Sequence, residues 1–138
     1  MQKTQIYYLI VVFLSVLIFP SCTEEDIINP VDDRQAFIGT WGVNENCLRD
    51  AYSVTIEADP GNSSQVIIKN FLLIGYQEKP PYAIVAGTSI TIPSQTMCND
   101  DNNTVSGSGE MKNGKIEWEY SVNDGADLYT CTAVYEKQ

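Results

Sequence analysis

From Ala36 onward, apolar and polar residues alternate over short runs bounded by turn residues, the period-two pattern of strands buried on one face. The clearest case is Lys115 to Val122, where Ile116, Trp118, Tyr120 and Val122 share one face and Lys115, Glu117, Glu119 and Ser121 the other. Asn113-Gly114 precedes this run and suits the positive φ values of a type I′ hairpin turn. Thr104 to Met111 is therefore its expected partner, with Gly107 and Gly109 leaving space opposite Trp118 and Tyr120, or else marking a bend. The same pattern predicts strands near 37–46, 51–58, 65–71, 82–86, 89–93, 104–111, 115–122 and 128–136. Short connections such as Asp59-Pro60-Gly61-Asn62, Gly87-Thr88 and Asn123-Asp124-Gly125 make successive strands antiparallel neighbours. The expected fold is thus all-β, a small antiparallel up-and-down barrel of about eight strands. Closure removes both exposed edges, and an open β-sandwich is the alternative.

The first 21 residues follow another rule. Lys3 precedes the apolar run Ile6–Phe19, 14 residues long, and then Pro20-Ser21-Cys22. As a helix the run would span roughly 21 Å, short of a bilayer core of about 30 Å, so it reads as a cleaved signal peptide rather than a permanent span. A small residue and a cysteine directly after the apolar run resemble the lipobox of bacterial lipoproteins. That resemblance implies lipidation at Cys22, an outer-membrane address and a mature chain of 117 residues. Thr23-Glu24-Glu25-Asp26 resembles the acidic export signal of Bacteroidota-type surface lipoproteins, and is equally consistent with a solvated linker. Residues 22–35 lack sustained periodicity and read as a flexible acidic tether, with the barrel domain over 36–138.

Composition narrows the function classes. The chain of 138 residues carries a net charge of −10, and without Lys3 it holds 7 basic against 18 acidic groups, which argues against nucleic acid as a partner. It has no histidine, which removes His-dependent nucleophilic catalysis and His-containing zinc sites, and no cofactor or metal is expected. No enzyme is expected either. With Cys22 lipidated, three cysteines remain in an oxidising compartment. Cys47 ends the first predicted strand and Cys131 lies in the last, so a Cys47–Cys131 disulfide would pin the two edges of the sheet. Cys98, in a polar loop, stands outside that bond or is the true partner of one of the two.

Gly39-Thr40-Trp41 on the first strand resembles the G-x-W signature of lipocalins. Together with Phe37-Ile38, Ile90 to Gln95 and Cys131 to Tyr135, the chain from about Gln35 to Lys137 is similar to the small lipocalin-like domains of Bacteroidota-type surface lipoproteins. Where lipocalins pack an arginine over that tryptophan, the last strand offers Lys137. An eight-stranded barrel is just wide enough to be filled by its own side chains or to hold one small ligand.

The least regular segment is Phe71 to Tyr82, which breaks alternation and crosses Pro80-Pro81 with tyrosines on both sides. It reads either as a barrel-mouth loop contacting an apolar or glycan ligand or as an overhang covering the barrel end. Phe71, Tyr76, Tyr82 and Trp118 are the candidate ligand-binding residues. Glu117 and Glu119, two apart on one strand, read as surface charge, and the 99–103 loop with Asp100 and Asp101 reads as a polar loop lacking EF-hand spacing. Two functions follow as expectations: a membrane-tethered module capturing a small apolar or glycan ligand, or a filled barrel docking onto another envelope protein.

Overall fold

The computed structural model describes residues 31–48, 50–99 and 102–138. The expected signal peptide and the lipidation site Cys22 lie outside the described residues, as do Asp100 and Asp101. The described chain forms a closed barrel of eight sequential antiparallel strands. They are β1 (Gly39–Glu45), β2 (Tyr52–Ala58), β3 (Gln65–Lys69), β4 (Tyr82–Ala86), β5 (Ser89–Thr96), β6 (Thr104–Lys112), β7 (Lys115–Asn123) and β8 (Leu128–Lys137). The ladder between β1 and β8, running from Trp41↔Lys137 to Glu45↔Ala133, closes the ring, so the barrel and not the sandwich is the fold.

Alternation builds the core directly. On β7, Ile116, Trp118, Tyr120 and Val122 are buried while Lys115, Glu117 and Glu119 are exposed. Asn113 (φ 52°) and Gly114 (φ 75°) make the tight turn before it. Register sets Gly107 opposite Tyr120 and Gly109 opposite Trp118. A Cβ on Gly109 would lie 2.8 Å from the Trp118 ring, so the two large side chains occupy room that the glycines vacate. Trp41, Tyr120, Tyr135, Phe37 and Phe71 are the largest fully buried side chains.

Two strands differ from the pattern's prediction. The strand expected over 65–71 ends at Lys69, because Asn70 turns into the left-handed region (φ 60°) and Phe71–Leu73 continue as a 3₁₀ turn. The strand expected to stop at Pro93 runs on to Thr96, because a register shift between Ile92 and Gln95 gives the proline a bulge in which no ladder donor is missed.

The connections divide the barrel into two ends. At one end, here the base, a 3₁₀ turn at Asp33–Ala36 packs below the strands. Asp32 caps it through the Arg34 amide and pairs with the Arg34 guanidinium at 2.8 Å. That guanidinium donates to the carbonyls of Asp59 and Asn62, and the Gly87 amide donates to Asp33 at 2.7 Å. Asp32–Gln35, read from the sequence as the end of the tether, therefore fold against the barrel. Above them the Trp41 indole donates to the Phe37 carbonyl at 2.7 Å, and the Lys137 ammonium lies 5.3 Å from the Trp41 ring centre.

Candidate functional site

The opposite end, the mouth, is formed by the β1–β2, β3–β4, β5–β6 and β7–β8 connections. The Cys47–Cys131 disulfide bridges its rim between the end of β1 and an inward position of β8. Beside it opens a concavity of about 690 Å³, lined chiefly by Leu48, Leu72, Ile74, Met97, Val122 and Tyr129, with all three described cysteines on its wall. Exposed apolar side chains gather at the same end: Leu128 is 72% and Tyr76 52% exposed, with Leu73 and Tyr129 also uncovered. The depressions on the outer wall differ in kind. One of about 460 Å³ between β1, β2 and β8 has Asn44, Ser53, Glu136 and Gln138 in its lining.

The mouth carries strained backbone. Asn70, Leu72, Leu73 and Cys98 all have φ between 52° and 60°, and for leucine this region is an outlier that neighbouring structure must enforce. Asn70 supplies much of that enforcement. Its buried side-chain amide donates to the Ser53 carbonyl at 2.8 Å, and its side-chain oxygen accepts from the Gly75 amide at 2.9 Å. The turn presses Phe71 into the barrel, where its ring lies 5.0 Å from that of Tyr120. The 97–103 loop leans on this connection through the Cys98 amide to the Lys79 carbonyl and through Asn99 to the Glu78 carboxylate.

Beneath Phe71 sits a polar group that the sequence reading passed over. Glu45 faces inward with Trp41 and Val43 and is only 9% exposed. The Tyr120 hydroxyl donates to its Oε2. Its Oε1 has no hydrogen-bond partner, nor do the buried Tyr52 and Tyr135 hydroxyls or the Trp118 indole N–H. Val43 pairs with both Tyr52 and Tyr135, which brings the two phenols to the same level of the barrel, next to Glu45. Burial raises the Glu45 carboxyl above its ordinary range, and the nearby Tyr52 hydroxyl opposes that rise, although it falls short of hydrogen-bond geometry. Burial likewise pushes the Tyr52 and Tyr135 hydroxyls above the usual phenol range, with the Glu45 charge adding to it. The signal in the sequence was parity: a glutamate two positions beyond Val43 on β1 must point into the barrel.

The four expected ligand-binding residues do not share one pocket. Phe71 and Trp118 are buried in the interior, Tyr76 stands on the exposed mouth connection, and Tyr82 shares the outward face of β4 with Ile84. Glu117 is exposed and pairs with Lys112 at 3.3 Å, in keeping with surface charge. Among the described residues, no three acidic or cysteine side chains come together as metal ligands. No family model matches the chain, and neither the curated proteins nor the solved structures contain a significant match.

Proposed function

We propose that this chain is an envelope lipoprotein, tethered through a lipid on Cys22, whose barrel receives a small apolar ligand at its mouth. The observation that carries the reading is the apolar concavity of about 690 Å³ at the rim, beside which Leu73, Tyr76, Leu128 and Tyr129 are also left uncovered. Concave apolar sites with a few polar groups are the usual form of small-ligand sites, and uncovered apolar side chains concentrated at one end mark an interaction surface. The lipobox-like Ser21-Cys22 supports the tether, and the Lys137 ammonium over Trp41 supports the lipocalin-like reading of the base. The ligand role does not require catalysis.

Titration of the chain with octanol tests the reading. Saturable binding of one equivalent, weakened at least fivefold by Leu72→Asn, is the expected result, since that change removes an apolar wall residue while asparagine tolerates the left-handed backbone. Binding that Leu72→Asn leaves untouched would place the apolar site elsewhere. The docking alternative draws on the same uncovered side chains. It gains the upper hand if octanol fails to bind while Leu128→Ser and Tyr76→Ser abolish capture of a purified envelope component.

A further inference from the structure

We infer that the ligand's polar end is a cationic amine received by Glu45, so that the mouth is a site for an alkylammonium-type amphiphile; this rests on the ligand-binding reading above and specifies its chemistry. Glu45 is nine-tenths buried, yet one of its oxygens has no donor. Leaving a buried polar atom unpaired lowers stability, so a native structure that retains one points to a partner supplied from elsewhere. Beside the carboxylate stand the phenols of Tyr120, Tyr52 and Tyr135, whose hydroxyl oxygens can also accept from an ammonium.

The path from the mouth to this carboxylate is short. Asn46 and Cys47, directly after Glu45, line the concavity, and Cys131, also on its wall, pairs with Tyr120. The Phe71 ring packs on Tyr120, the donor to Glu45, and is held by the turn whose Leu72 lines the concavity and whose Leu72 and Leu73 sit in strained backbone. A ligand that displaces Phe71 releases part of that strain and opens the carboxylate to an apolar chain's head. Charge favours a cation over an anion. Among the described residues, the mouth connections carry Asp50, Glu78, Asp124 and Asp127 against Lys79, which raises the local concentration of cations and repels carboxylates.

The test is calorimetric titration of the full chain at pH 7 with octylammonium, octanol and octanoate, repeated with Glu45→Gln. Octylammonium should bind at least tenfold more tightly than octanol and octanoate most weakly. Glu45→Gln should abolish the preference for octylammonium over octanol, with far-ultraviolet circular dichroism reporting that the variant keeps the barrel. Equal binding of octanol and octylammonium overturns the head-group assignment and leaves the mouth site standing, as does a preference that survives Glu45→Gln, which would belong to surface charge alone. Failure of all three probes overturns both readings. If Glu45→Gln does not fold, a crystal structure of the native chain with octylammonium decides: nitrogen on the Glu45 carboxylate supports the inference, and nitrogen in solvent overturns it.

Discussion

Removing the Cys47–Cys131 bond should weaken the protein without opening the barrel. The bond links residues 84 apart in sequence, and loop-closure entropy for a span of that length corresponds to about 4.5 kcal/mol. Domains of this size are typically stable by only about 5–15 kcal/mol, so the effect is a large share of the total. In the native state, however, the same two strands are already joined by the β1–β8 ladder from Trp41↔Lys137 to Glu45↔Ala133. The energetic effect therefore lies mainly in the unfolded chain, which the bond holds compact. The comparison is urea unfolding of Cys98→Ser against Cys47→Ser/Cys98→Ser/Cys131→Ser, the shared change preventing exchange with the third thiol. With a slope near 1.5 kcal/mol/M, the midpoint should fall by roughly 3 M, and the slope should rise because the freed chain exposes more surface. Far-ultraviolet circular dichroism in water should stay that of the same barrel. A midpoint shift under about 0.5 M would refute the reasoning, since it would mean that the bond constrains nothing the unfolded chain would otherwise explore.

Gly107→Ala should destabilise more than Gly109→Ala, by about 3 kcal/mol or above on thermal unfolding: its Cβ would lie 2.6 Å from the Glu119 carbonyl oxygen and 2.7 Å from the Tyr120 Cα, both backbone, whereas at Gly109 the Trp118 ring is the nearest neighbour and can shift. Glu45 has a raised pKa in the folded state, so its stabilising contribution is complete below the ordinary carboxyl range and lost as pH rises through the folded value. Glu45→Gln should accordingly gain on the native protein in urea midpoint from pH 4 to pH 8, and a widening deficit would contradict the sign. Leu73→Asn should raise stability by about 1 kcal/mol, because Leu73 is half exposed at φ 57° and asparagine occupies that region at less cost; an unchanged or lower melting temperature counts against strain in the turn. Phe71→Ala should cost about 3 kcal/mol through lost burial against Tyr120, yet strengthen octanol binding by enlarging the mouth; a weaker affinity would make Phe71 a ligand contact instead of a plug.

The barrel was legible because its information is local. Alternation at 115–122 sets the inward face of β7, and the glycines at 107 and 109 can face only large partners if the Asn113-Gly114 turn fixes the register. The disulfide followed from the same order, since closure brings the first and last strands together. What escaped depends on contacts between distant segments. Arg34 is ordered by carbonyls at Asp59 and Asn62, so nothing near it in sequence announces that Asp32–Gln35, the last residues assigned to the tether, are already folded. The left-handed Leu72 and Leu73 are enforced by Asn70 reaching Ser53 and Gly75, against their own preference. Glu45 and Tyr82 are different: strand parity alone places the first inside and the second outside, but residue type suggests the reverse for each.

The two ends of the barrel are built on opposite terms, and that contrast is the best physical guide to where the protein works. At the base, Trp41, Arg34, Asp32 and Asp33 all have partners, and the backbone of the Asp33–Ala36 turn is relaxed. At the mouth, leucines sit in strained conformations, apolar side chains face water, and one oxygen of the buried Glu45 and the Tyr52 hydroxyl lack hydrogen-bond partners. Each departure lowers stability, and such costs concentrate where binding requires a surface that rearranges or a polar group that awaits a partner. The disulfide lies at that same rim and offsets the deficit there by constraining the unfolded chain, which leaves the native mouth free to remain strained. A barrel serving only as a rigid spacer would gain by relaxing Leu72 and Leu73 and replacing Glu45 with an apolar residue, so the persistence of all three at one end argues that the mouth is the working surface.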